Sequence, residues 1–206
     1  MVHPLTHVGE AIHNRLGSLG LDWEILDDAF TFGLEEASTC TDRDAGFCKG
    51  VMLYSRLGRR LQERLSRFDW IGGRPHNQQC VWSLHAGVRV LHVTGNVETG
   101  NPDPSAQVAP ERPGGSARRD LILMNAQRSL FDELDPGSGF RELKTWFLLY
   151  RMGKSSLRSE LSYTENLSDD GGGISWSERI ILPEVPLPAG LGMGDDRWAF
   201  DHIASK

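Results

Sequence analysis

Apolar positions along the chain follow two periods. Val8, Ile12, Leu16 and Leu19 recur every three or four residues, which predicts a first helix over 5–19 with Thr6 as its cap. Trp23, Ile25, Leu26, Phe30, Phe32 and Leu34 lie among acids and predict a second helix over 21–37. Tyr54, Leu57, Leu61, Leu65 and Phe68 form the clearest stripe, over 49–68, with Arg56, Arg60, Arg64 and Arg67 on the other face. Gly58 lies inside this helix, where it costs about 1 kcal/mol relative to alanine. It predicts close approach of another backbone. A fourth helix, over 116–134, starts at Ser116 and stops at Asp135-Pro136-Gly137. Leu123, Gln127, Leu130 and Leu134 mark its expected inner face.

Between and after these helices the pattern changes to β-branched and aromatic runs. Cys80–His85 and Val88–Thr94, joined by Ala86-Gly87, predict a hairpin. Further strands are predicted at 144–151, 157–163 and 174–182, with Asp169–Gly173 as the turn before the last. Residues 95–115 hold four prolines and little apolar content, so 99–115 is expected to be a mobile loop. Residues 183–206 hold three prolines and three glycines before Trp198 and Phe200. They predict an extended arm whose two aromatic residues form an interface. The expected fold is a single α+β domain over 1–182. In it a helical layer (1–75) packs on an antiparallel or mixed sheet of about five strands (76–182).

Composition bounds the class without naming a function. The chain has 206 residues, with 39% hydrophobic and 24% charged, ordinary for a globular domain. Three cysteines give no disulfide framework, which predicts a reducing, cytoplasmic setting. No apolar run nears the roughly 18–20 residues of a membrane span, and Met1–Pro4 starts no signal peptide pattern. No membrane partner is therefore expected.

The net charge of −6 conceals a division. Residues 1–48 carry nine acids against two arginines, and 49–75 carry seven basic residues against two acids. One reading is that the two blocks attract and pack together. The other is a basic face, Arg56, Arg60, Arg64 and Arg67, that binds the phosphates of a nucleic acid.

Candidate chemistry is sparse. Cys40, Cys48, His76 and Cys80 could supply four zinc donors, but the spacing of eight between Cys40 and Cys48 exceeds the usual two to four of structural sites. Packed thiols are the preferred reading, and no metal is assigned. Glu160 falls mid-strand on one face with Arg158 and Ser162, opposite Leu157, Leu161 and Tyr163. It can pair with Arg179 across a hairpin or help hold Mg²⁺ in a nuclease. The pair is preferred, because neither Glu160 nor Glu178 begins a Glu-x-Lys motif. Thr94–Asn101 allows close approach of a ligand but lacks the Gly-Lys-Ser/Thr of a phosphate loop. Arg118 and Arg119 fall in the first turn of the fourth helix, where an anion can also be received. No Ser-His-Asp order stands out as a triad, and Gly-x-Ser-x-Gly is absent from the sequence. No cofactor and no catalytic residue are assigned.

Three segments resemble a C-terminal module of uncharacterised bacterial and phage-type proteins. They are Thr145-Trp146-Phe147-Leu148-Leu149-Tyr150, Ser159-Glu160-Leu161-Ser162 and Trp176-Ser177-Glu178-Arg179-Ile180-Ile181-Leu182-Pro183. Thr94–Asn101, Asn125 and Leu130-Phe131 are also similar to that group, and the likeness spans about 80–185. The group has no assigned activity, so the resemblance implies a phage or mobile-element setting and brings no site residues. Two expectations follow. The preferred one is a non-enzymatic protein that acts by protein–protein binding, as an inhibitor of a host or rival system. The alternative is a nucleic-acid-binding protein or metal-dependent nuclease.

Overall fold

The continuous apolar runs around Val90 and Leu148 become the two central strands of a mixed sheet, buried on both faces as such runs require. The computed structural model describes residues 4–112, 116–131, 143–167 and 174–191. Four helices occur among them: α1 (Ala11–Ser18), α2 (Trp23–Ser38), α3 (Cys48–Leu65) and α4 (Ser116–Phe131). The strands are β1 (Leu5–His7), β2 (Ile71–Gly73), β3 (Cys80–Ser83), β4 (Val88–Thr94), β5 (Lys144–Met152), β6 (Ser156–Tyr163), β7 (Asn166–Leu167), β8 (Ile174–Ser175), β9 (Glu178–Ile181) and β10 (Val185–Pro186).

The α+β class holds, and the sheet is mixed. Its size corrects the expected five strands to eight, in the order β1-β9-β6-β5-β4-β3-β2, with β10 also paired to β6. The extra strands are short pieces at the edges, which carry too few residues to show a period. β1 pairs parallel to β9 and replaces the start of the expected first helix. Gly9, at φ +61°, turns the chain between β1 and α1 and leaves Val8 exposed. β2 forms where only a helix end was expected. The strand expected over 174–182 is split: β8 pairs with β7 in a separate two-stranded sheet, and β9 joins the main one.

β4 and β5 run parallel, in register from Val88 opposite Lys144 to Thr94 opposite Tyr150. A parallel pair needs a crossover, and the segment carrying α4 makes it. Alternation along these strands divides the core in two. Val88, Val90, Trp146 and Leu148 meet α1–α3 on one face. Leu91, Val93, Phe147 and Leu149 meet Val108, Leu121, Ile122 and Trp176 on the other. The sheet is therefore covered on both faces, by α1–α3 and by α4 with the 95–112 segment.

Within α4 the inward residues are Leu121, Ile122 and Asn125, while Leu123 is exposed, contrary to its expected inner role. The cause is Asn125. Its amide Nδ2 donates to the carbonyls of Thr145 (3.0 Å) and Thr164 (2.8 Å), and its Oδ1 accepts from the Thr145 N–H (2.9 Å). These bonds set the rotation of the helix on the sheet. The expected inner positions Gln127 and Leu130 are not among the side chains described, and Leu134 lies outside the described residues.

Gly58 does mark a close approach, but to side chains. A Cβ there would lie 2.5 Å from Gln79 Nε2 and from His92 Cε1. The His92 ring is itself fixed, with Nε2 3.1 Å from the Tyr54 carbonyl and the two rings 4.5 Å apart. Gly58→Ala is therefore expected to destabilise by about 1–3 kcal/mol through overpacking, where an open helix site would gain about 1 kcal/mol. Urea unfolding followed by circular dichroism checks the sign. A gain would show that Gln79 and His92 give way freely.

The described part of the expected arm, 183–191, lies along the sheet. β10 pairs with β6, and Val185 and Leu191 are buried in the larger core. Trp198 and Phe200, the expected interface residues, lie outside the described residues.

Candidate functional site

The arginine face of α3 meets the acids of α2. Arg60 donates to both carboxylate oxygens of Asp28 from Nε (2.7 Å) and Nη2 (3.0 Å), and Arg64 Nε is 3.7 Å from the same group. Arg56 Nε is 3.1 Å from Glu36. Arg60 and, after it, Arg64 hold the Asp28 carboxyl below its ordinary range. The opposed charge blocks therefore pack together as one continuous helical surface. These pairs are about one-third exposed, so each contributes little to stability. Arg67 sits beyond the helix, in the 3-10 turn Ser66–Phe68. There it lines a groove of about 450 Å³ with Arg64, Trp70 and His85. Phe68, expected in the inner stripe, is 62% exposed because that turn swings it off the helix face.

Glu160 is committed to structure. It is wholly buried and receives Arg179 through Nε (3.0 Å) and Nη2 (2.6 Å). It also accepts from Ser162 Oγ (2.6 Å) and the Gly100 N–H (2.9 Å). Arg179 extends further, to the carbonyls of Asn101 (2.9 Å) and Asp103 (3.4 Å). The pair so fastens the 95–112 segment to the sheet. Trp176 Nε1 donates to the Val108 carbonyl (2.7 Å), Arg158 to that of Val97 (2.8 Å), and Arg151 pairs with Glu111. Residues 99–112, expected as part of a mobile loop, are thus held at both ends and in the middle.

The three cysteines among the zinc candidates do not converge. Cys40 and Cys48 touch, Sγ to Sγ 2.9 Å, where α2 runs into α3. Cys80 is buried in the core on the other face of the sheet, where burial pushes its thiol up to about 11. The side chain of His76 is not among those described. Among the described residues no three His, Cys, Asp or Glu side chains are grouped to hold a metal ion.

The remaining chemistry gathers in a cleft of about 280 Å³ at the carboxyl end of β4. Gly50, Val51 and Tyr54 of α3 form one wall, Val93, Thr94 and Gln78 the floor, and Glu111, Arg112 and Arg118 the other wall. The Thr94 carbonyl accepts from the Glu111 N–H (2.9 Å), which brings the returning segment to the cleft edge. Arg118 Nη1 donates to the Arg112 carbonyl (2.9 Å), while its buried Nε has no hydrogen-bond partner. No carboxylate among the described residues lies within ion-pair distance of Arg118. Burial therefore holds its guanidinium below the ordinary arginine range, opposed only by the nearby Tyr54. Beneath Thr94, the buried Tyr150 hydroxyl has no well-formed partner, and burial raises it above the ordinary tyrosine range.

Thr94 and Arg118 were legible as candidates in the sequence, and the fold brings them to one cleft. Arg119 points to solvent instead. Tyr54, Gln78, Glu111 and Arg112 carried no signal. They come from separate segments, and the helical period groups Tyr54 with the core stripe. Compared with known proteins, the chain matches no family model, no curated protein and no solved structure. No helix among the described residues is long and apolar enough to cross a membrane.

Proposed function

We propose that the protein is a non-enzymatic binding protein that engages a partner protein, taking an acidic side chain of that partner into the cleft beside Arg118. The carrying observation is the half-buried guanidinium of Arg118, which lines the cleft with no described carboxylate within ion-pair distance. An arginine in that state gains most from an incoming carboxylate, since charge-assisted bonds strengthen out of water. Arg112 adds a second positive charge on the same wall, and Glu111 is already paired with Arg151. Val51, which lines the cleft and is 47% exposed at the start of α3, gives the rim an apolar surface for the partner to cover. The partner segment therefore carries an acidic residue next to an apolar one.

The phage or mobile-element setting, and inhibition of a host or rival system, belong to the same proposal and rest on the resemblance of the 80–185 region. The pairing of Arg56 and Arg60 with Glu36 and Asp28 weighs against the nucleic-acid alternative, and the use of Glu160 by Arg179 against the nuclease.

Calorimetric titration with two capped peptides, acetyl-Ala-Asp-Leu-Ala-amide and its Asn counterpart, tests the reading. The Asp peptide is expected to bind in the millimolar range or better. Arg118→Ala is expected to weaken it by about tenfold or more, the equivalent of one charge-assisted hydrogen bond. Equal binding of the Asn peptide overturns the proposal. So does a short DNA duplex that binds more tightly than the Asp peptide and depends on Arg56 and Arg60.

A further inference from the structure

We infer that Cys40 and Cys48 form a reversible redox site, closing to a disulfide by exchange with a low-molecular-weight disulfide of the glutathione type. Both thiols are free, and their sulfurs lie 2.9 Å apart. A disulfide needs about 2.05 Å and a suitable Cβ approach, so a small rotation of the two side chains suffices. The backbone keeps the two together. Thr41 N–H donates to Asp44 Oδ2 (2.7 Å), Asp44 N–H to the Thr41 carbonyl (3.1 Å), and Cys48 N–H to the Ala45 carbonyl (2.7 Å). The 41–48 turn therefore presents Cys48 to Cys40 without help from distant residues.

The two cysteines differ in access, which sets the order of events. Cys40 is buried, and its hydrogen bond to Cys48, then burial, pushes its thiol up to about 11. Cys48 is half-buried at the first position of α3. Its thiolate attacks one sulfur of the external disulfide and releases one thiolate, leaving a mixed disulfide on Cys48. Cys40 then gives up its proton to solvent and attacks the Cys48 sulfur, releasing the second external thiol. Two protein thiols are oxidised and one external disulfide is reduced to two thiols. Excess reduced thiol runs the sequence backwards. Cys80, buried in the opposite core, serves as an internal reference.

The full chain is incubated in excess glutathione disulfide, unfolded, alkylated and weighed by mass spectrometry. Three alkylable thiols are expected to fall to one, mapped to Cys80, and to return to three on reduction. The oxidised form is expected to melt about 5–10 °C higher, from closure of a loop of about nine residues. Cys48→Ser is expected to abolish both changes, and Cys80→Ser to leave them intact. Continued alkylation of both Cys40 and Cys48 overturns the inference. So does a stable glutathione adduct on Cys48 with Cys40 still free.

Discussion

Replacing Glu160 with alanine is expected to destabilise the protein by about 3–5 kcal/mol, the loss seen when one partner of a buried ion pair is removed. The Arg179 guanidinium would remain in a site that is 1% exposed, with two carbonyls for company and no counter-charge. The Gly100 N–H and the Ser162 hydroxyl would lose their acceptor as well. For a chain of this length the melting temperature should fall by about 6–20 °C. Hydrogen exchange should also report it locally, because the Gly100 amide loses its protection and the 95–112 segment its fastening. The double variant Glu160→Met, Arg179→Met should lose less than Glu160→Ala, since it leaves no buried charge unpaired. A single-variant loss under about 1 kcal/mol, the range of exposed pairs, would contradict the burial of this pair.

Mild acid is expected to destabilise the fold through His92. Burial lowers this histidine to about 4, against only a partial offset from its bond to the Tyr54 carbonyl. The unfolded chain takes up the proton near pH 6.5, and the folded chain does not until about pH 4. Stability is therefore lost as pH falls through that interval, by about 3 kcal/mol between pH 7 and 4. The groups packed around the imidazole are Tyr54, Gln79 and the Gly58 backbone, none of them a carboxylate able to compensate. Asp28 and Glu178 act in a lower window. Arg60 holds the first, and Arg15 with His7 the second, below the ordinary carboxylate range. Their contribution is present above that range and is lost as pH falls through their lowered values. Urea unfolding across pH 7 to 4 checks this. The His92→Gln variant should show a flatter profile than the parent, and equal slopes would rule His92 out.

The regular parts of this fold were legible because they repeat a period. The stripe Leu57, Leu61 and Leu65 is buried as its spacing predicts, and so are the alternating residues of β6 with Glu160 turned toward Arg179. The parallel pairing of β4 with β5 agrees with a helix set between them. Legibility failed where tertiary contact overrides local pattern. Asn125 rotates α4 by three hydrogen bonds, so Leu123 faces water. β1, β2 and β10 are two or three residues long and exist only through their partners in the sheet. The 95–112 segment has the composition of a loose loop, yet a buried ion pair far along the chain anchors it. The site was the least legible part. Of its lining, only Thr94 and Arg118 stood beside recognisable punctuation, a strand end and a helix start. The other groups meet there because α3 and the returning 109–112 segment converge on the end of β4.

In the proposed function, the cleft of Tyr54, Thr94 and Arg118 receives a carboxylate. An amide chemical-shift map, recorded as acetyl-Ala-Asp-Leu-Ala-amide is added, tests it most directly. Saturable changes centred on Gly50, Val51, Thr94 and Arg118 are expected, and Arg118→Ala should abolish them. Changes confined to the paired arginines Arg56, Arg60 and Arg64 of α3, or spread evenly over the surface, would contradict it.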